Sequence, residues 1–313
     1  MLFLTLHGGK PESNPHKNNV HVFDKDGTLL TPKALGDAGD VVLDELRGIY
    51  LFGKYLYVVN ANKDQNSILC YDGSGTKFTF VGEFASKATC DAISHPFDVT
   101  FDGASCCYIS SQDTNVVARL HMSADAKKCA PAPLAPALPP SGQFYAGTFV
   151  ASSFGKLGAE TTAVAPPMGL EYSGDGQKKH SVRGVVWAGN ALYVADQPAC
   201  RVKVYDKNGK FLGQSNGIES PVHLVPWKGK LYVSSENQVF AGEIPQVPGD
   251  FNLSPIKAIK VKDASGMAFS NSGDLYVASR SEKTILKFDS NFKPMNFDCK
   301  LTDAPEFLLH VSR

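Results

Sequence analysis

Neither sign of charge is in excess in this sequence: Lys and Arg number 31, and Asp and Glu also number 31. A nucleic-acid binder needs a basic surplus to neutralise phosphates, so no nucleic-acid partner is expected. No run approaches the roughly 18 apolar residues of a membrane-spanning helix, so no membrane partner is expected either. The start, MLFLTLHGG, lacks a basic n-region, and its apolar run is too short for a secretory signal. No CxxC pair occurs among the seven cysteines, which removes the usual support for a zinc or redox motif. Cys70, Cys90, Cys106, Cys107, Cys129, Cys200 and Cys299 then read as idle thiols in a reducing cytoplasm. A secreted location follows only if a signal peptide has been trimmed away.

What is present is repetition. The pattern Leu-Tyr-Val, a polar turn, then a Val-rich strand ending in Tyr/Phe-Asp recurs. It reads KYLYVVNANKDQNSILCYDGSG from Lys54, ALYVADQPACRVKVYDKNG from Ala191 and DLYVASRSEKTILKFDSN from Asp274. Weaker copies are SCCYISSQDTNVVARLHM from Ser105 and KLYVSSENQVFAGEI from Lys230. A short strand precedes each: RGIYLFG, HPFDVTFDG, RGVVWAG, SPVHLVPWKG and SGMAFSNSG. FTFVGEF, FYAGTFV and KAIKV read as fourth strands. Four short antiparallel strands in about 40–50 residues make one propeller blade.

The two ends supply the rest. LFLTLHGG, NNVHVFDKDG and TLLTP read as strands two to four of a blade that lacks its first strand; PEFLLHV, after the last complete blade, is one strand too many. Placing PEFLLHV innermost in the N-terminal blade closes the ring and removes an open edge. The expectation is a single all-β domain, 1–313: a six-bladed propeller with four antiparallel strands per blade. The long interval between Met122 and Val182 holds the Pro/Ala-rich KKCAPAPLAPALPPSG, read as an extended loop, and an insertion over 154–182. A seventh, degenerate blade in that interval is the alternative.

The LYVAD-like second strands, the VYDKNG-like turns and the Pro or Arg-Gly starts of the first strands resemble the NHL and SMP-30/strictosidine-synthase group of six-bladed propellers. The resemblance covers nearly the whole chain, but its motifs are structural and imply a fold rather than an activity. The GEGP-like opening that carries a metal-binding Glu in SMP-30-type lactonases is missing. The His/Glu pair of the streptogramin-lyase propellers is not placed in this chain.

In such a ring the start of strand one and the end of strand two meet at one channel mouth. The starts give Arg47, His95, Arg183, Ser220, Ser265 and Glu306; the ends give His7, Asn60, Ser111, Asp196, Ser235 and Ser279. Asn62, Gln112, Asp113, Gln197, Glu236, Asn237 and Arg280 lie just beyond, and Tyr50, Asp98, His223 and Phe307 slightly deeper. Arg47, His95 and Arg183, from three consecutive blades, form a cationic arc suited to a carboxylate, phosphate or enolate. His95 and His223 are candidate acid–base groups, with Asp98 as an orienting carboxylate. Arg47, Arg183, Tyr50, Asn60, Asp196, Glu236, Arg280 and Glu306 are candidate substrate contacts, and so is Tyr172 if the 154–182 insertion forms a lid rather than a passive loop. The bland alternative is that Arg47 and Arg183 bridge blades and Asp196 braces a turn. No cofactor is expected; a divalent metal on His7, His223 and Glu306 is the weaker alternative.

Some motifs are empty. DKDG at Asp24 and DKNG at Asp206 are hairpin turns without the remaining ligands of a calcium loop. Asn252-Leu253-Ser254 is a glycosylation sequon that matters only in a secreted protein. The vicinal Cys106-Cys107 point to opposite faces of a strand. Two functions stand. One is a small-molecule enzyme of lyase, hydrolase or cyclase/isomerase type, monomeric, acting on an anionic or carbonyl-bearing compound. The other is a non-enzymatic propeller that binds a peptide or protein on the same face. Diverse ionisable residues at the mouth, and the absence of an attached effector domain in this sequence, favour the enzyme.

Overall fold

The innermost strand of each repeat is the element that positions the site. The computed structural model describes residues 1–8, 16–121, 132–133 and 181–312, apart from positions 89, 91, 104–105, 114–115, 198 and 208. Among them six four-stranded antiparallel sheets form a ring in which each innermost strand packs against the next. These strands are Leu46–Phe52 of blade 2, Pro96–Phe101 of blade 3, Val182–Ala188 of blade 4, Pro221–Trp227 of blade 5 and Ala264–Phe269 of blade 6. Blade 1 takes its innermost strand from the far end of the chain: Pro305–His310 pairs with Leu2–Leu6, from Leu2↔His310 to Leu4↔Leu308. The ring closes as the repeat pattern predicts.

Alternation along the second strands reflects burial between blades. Each carries an aromatic residue at the equivalent position: Phe3, Tyr57, Tyr108, Tyr193, Tyr232 and Tyr276, all buried. Tyr193 of blade 4, for example, packs with Leu224 and Val233 of blade 5. Burying each ring is worth about 2–3 kcal/mol. The DKDG and DKNG turns hold no unusual chemistry. Asp24 Oδ1 accepts the N–H groups of Asp26 and Thr28, and Asp206 Oδ1 accepts that of Lys210.

Two outer strands differ from expectation. In blade 3 the fourth strand is Ala132–Pro133, inside the Pro/Ala-rich segment read as a loop; FYAGTFV lies outside the described residues. In blade 5 it is Ser254–Pro255, not KAIKV. Ile259 and Val261 are buried in the connection to blade 6, and that burial gives KAIKV its strand-like alternation. The 154–182 insertion up to residue 180, with Met168 and Tyr172, also lies outside the described residues.

A shared irregularity shapes the channel. In all six blades the register between strands one and two shifts near the start of strand one. The extra residues include Arg47-Gly48, Arg183-Gly184, Val222-His223 and Glu306-Phe307. A bulge re-aims side chains and leaves a backbone N–H without its ladder partner. Hydroxyls of strand two take it: Ser110 Oγ accepts from Asp98 N–H, Ser234 Oγ from His223 N–H and Thr5 Oγ1 from Phe307 N–H. Thr5 and Ser234 pass the chain on, donating to the carbonyls of Arg47 and Ser265 in the next blade.

The second bulge residue alternates around the ring between Gly48, Gly184 and Gly266 and the larger Asp98, His223 and Phe307. A Cβ on Gly184 would lie 2.7 Å from the Val222 carbonyl oxygen, and one on Gly266 2.5 Å from the Phe307 Cα. The glycines let the neighbouring strand come close. Phe307 then meets Phe97 at 5.1 Å and His223 at 4.7 Å between ring centres. This aromatic plug separates two cavities, one at each end of the channel.

Candidate functional site

The first cavity, about 630 Å³, opens at the mouth where strand one begins. His7, Arg47, His95, Arg183, Glu236, Arg280 and Glu306 all line it, so most of the residues nominated from sequence do converge. The residues before strand one carry much of its chemistry. Glu45, His95, Ser220 and Asp263 occupy equivalent positions and all have left-handed backbones, with φ of 48°, 51°, 44° and 49°. Such non-glycine conformations cost energy and cluster at functional sites. His95 is therefore the counterpart of Glu45, two residues before the Arg47 position with which it was aligned.

The expected cationic arc is interleaved with carboxylates. Glu306, 1% exposed, places Oε1 2.6 Å from Arg47 Nη1, 3.1 Å from Arg280 Nη2 and 3.0 Å from His7 Nδ1. Burial alone would raise its carboxyl. Arg47, Arg280 and His7 outweigh burial and hold it well below the usual carboxylate range. Arg47 also donates to Glu45 Oε2 at 3.2 Å. Arg183 donates from Nε to Gln197 Oε1 at 2.8 Å, and its guanidinium lies 5.0 Å from the Phe97 ring centre. Burial, with Arg47 and Arg280 nearby, pushes Arg183 down to about 9.

His95 sits between two acids. Its Nδ1 is 3.7 Å from Asp113 Oδ1 and its Nε2 3.3 Å from Glu45 Oε2. Asp113 and Glu45 raise its pKa against burial and Arg47, so the imidazolium is favoured. Glu45 in turn is lowered by His95, against burial and with help from Arg47. The pair can give up a proton and take it back within one cavity that also offers guanidinium groups.

Other nominated residues lie elsewhere. Tyr50, Asp98 and His223 line the cavity beyond the plug, not the mouth. Asp98 accepts the N–H groups of Val99 and Val185 (2.8 and 3.0 Å), and burial pushes its carboxyl up to about 7. His223 Nδ1 accepts the Met267 N–H at 3.0 Å, among the described residues no carboxylate is bonded to it, and burial pushes it down to about 3. Each therefore serves the backbone of the next blade. Asn60 holds the loop before strand one, accepting from Asp44 N–H and donating to the Val42 carbonyl. Asp196 meets Lys203 Nζ at 2.8 Å, both 1% exposed, and does not meet Arg183. His7 and Glu306 touch, but His223 is on the other side of the plug, so the three do not form a metal site. Tyr172 lies outside the described residues.

Phe97, Gln112, Asp113, Gln197, Ser220, Val222 and Asp263 complete the lining. Of these, sequence reading passed over Phe97, Val222 and Asp263, and it also missed Glu45. Glu45 and Asp263 had a signal: each occupies the slot before strand one that His95 and Ser220 fill in their blades.

No protein-family model matches this sequence, and no curated protein is similar to it. Solved structures are similar in fold. One is a Bacteroides uniformis protein provisionally assigned as a 6-phosphogluconolactonase (14% identity, 94% of this chain and 80% of that one, TM-score 0.59). Another is a Lactobacillus plantarum protein (16%, 96% and 82%, TM-score 0.58). A third is a chain of a nidogen–laminin complex (12%, 98% and 96%, TM-score 0.57). At such identities the likeness is one of architecture.

Proposed function

We propose that this protein is an enzyme that holds a small anionic or carbonyl-bearing compound at the mouth and acts on it by acid–base chemistry. The observation that carries this reading is His95, placed between Glu45 and Asp113 on the wall of a 630 Å³ cavity. An imidazolium stabilised in this way donates a proton to a carbonyl or leaving oxygen, and the flanking carboxylates favour its reprotonation. Arg183 supplies the anion contact. Its charge is disfavoured by burial and by two neighbouring arginines, so an arriving carboxylate or phosphate relieves that tension. Lyase, hydrolase and cyclase/isomerase reactions all fit. The repeat's resemblance to NHL and SMP-30-like propellers supports a ligand site on this face.

A second reading is a non-enzymatic propeller that binds a peptide or protein partner here. It is favoured by the commitment of Glu306 to His7, Arg47 and Arg280, which makes part of the mouth a static brace. The architecture is shared with a provisionally assigned 6-phosphogluconolactonase and with a chain of a nidogen–laminin complex, so the fold admits both. The test is turnover of small lactones, esters and hydroxy or phospho acids by the full chain, with His95→Gln and Arg183→Met as variants. The enzyme reading expects at least one substrate, a kcat loss of about 100-fold or more for His95→Gln and a raised KM for Arg183→Met. Turnover indifferent to both variants in folded protein overturns the site. An inert panel, with both variants weakening a partner, favours the second reading.

A further inference from the structure

Beyond the Phe307 plug, a cavity of about 250 Å³ opens on the opposite face of the ring. Its wall is made by the far ends of the innermost strands and, among the described residues, contains no Lys, Arg or Glu. Trp187 and Trp227 form part of it and are the chain's two tryptophans. Both indoles are fixed by stacking: Trp187 on Tyr108 (5.5 Å, 6°) and Trp227 on Phe269 (5.2 Å, 3°). Flat apolar faces are thus held in place before any ligand arrives, which reduces the entropy lost on binding.

A buried polar group lies at the floor. His223, 8% exposed, accepts the Met267 N–H on Nδ1. That bond fixes the tautomer, so Nε2 carries the proton and is a donor. Among the described residues no acceptor takes it. Asp98, also at the floor, has both carboxylate oxygens occupied by backbone N–H groups. Lys228 Nζ lies 5.5 Å from the Trp227 ring centre but is not part of the lining; among the described lining residues there is no Lys or Arg, and Asp98 is at the floor, so the lining itself offers an anion no ion pair. His310 at the rim is held toward its neutral form, chiefly by burial. The size sets a further limit. A cavity of about 150 Å³ accepts benzene, so this one suits a fused bicycle and is smaller than drug-sized pockets, roughly 300 Å³ and above.

We propose that this cavity is a second ligand site, independent of the mouth, for a small neutral cyclic compound whose carbonyl oxygen accepts a hydrogen bond from His223 Nε2. The probe is 1-indanone, a neutral bicyclic ketone, with indane as the analogue that lacks the carbonyl. The full chain is titrated with each while the two indole N–H resonances are followed by NMR. Because the chain's two tryptophans both line this cavity, their shifts localise the binding. Both resonances should move saturably with 1-indanone, and indane should bind about tenfold more weakly. His223→Asn keeps an amide oxygen for Met267 N–H but lacks the Nε2 donor, and should bring the ketone down to the affinity of indane. Val225→Phe fills the cavity and should abolish both. The proposal is overturned if neither indole resonance moves in the wild type, if indane binds as well as the ketone, or if binding survives Val225→Phe. Should either variant fail to fold, the wild-type comparison of ketone with hydrocarbon still decides.

Discussion

The two ends of the channel are built from the same six strands, yet they differ in kind. At the mouth Arg47, Arg183 and Arg280 interleave with Glu45, Asp113, Asp263 and Glu306, and His95 is held toward its charged form. At the far end the wall is apolar and aromatic, and His223 is held neutral. One residue of register makes the difference. The first bulge position (Arg47, Phe97, Arg183, Val222, Glu306) faces the mouth. The next, where it has a side chain, forms the plug or reaches past it. Polar chemistry is therefore spent where water and ligands arrive, and burial penalises it one step deeper.

Perturbations at three positions sharpen that contrast, in order of size. Glu306→Ala removes the acid shared by Arg47, Arg280 and His7. Leaving the two guanidinium groups uncompensated should cost about 3–5 kcal/mol in chemical denaturation. The same carboxyl sets a pH dependence. Its folded pKa is depressed, so its contribution is fully present above the unfolded value of about 4.5 and fades as pH falls further. The Glu306→Gln variant should lose that part of the acid-side slope. Gly184→Ala adds a Cβ 2.7 Å from the Val222 carbonyl and should cost about 1–3 kcal/mol by forcing two inner strands apart. A melting curve unchanged from wild type would show that the strands are not so close. Glu45→Gln is the smallest: less than about 1 kcal/mol, because Glu45 is partly exposed in its pairs with both His95 and Arg47. It should lower the His95 pKa. The His95 contribution to stability exists below the ordinary value of about 6.5 and is lost as pH rises through the elevated one, so Glu45→Gln should shorten that window.

Much of the ring was legible before the structure because it rests on patterns that burial enforces. The Leu-Tyr-Val strands and the surplus PEFLLHV are examples. The outer strands were legible in part: FTFVGEF and TLLTP fall on Lys77–Ser86 and Leu29–Thr31, whereas Ala132–Pro133 and Ser254–Pro255 are two-residue edge strands, too short to show an alternation. The mouth was legible to the extent that polar residues interrupt apolar strands. Its depth was not. Asp98 and His223 interrupt their strands as Arg183 does, yet each is turned to a backbone N–H of the next blade by a bulge that residue patterns do not reveal.

The contrast between the two ends is tested most directly by one NMR titration of the His95 and His223 imidazoles in the folded chain. The account predicts that His95 titrates above the ordinary histidine value of about 6.5, and that His223 stays neutral until far lower pH, near about 3. If both histidines titrate together at the ordinary value, the division of the channel into a charged mouth and a neutral far cavity is wrong.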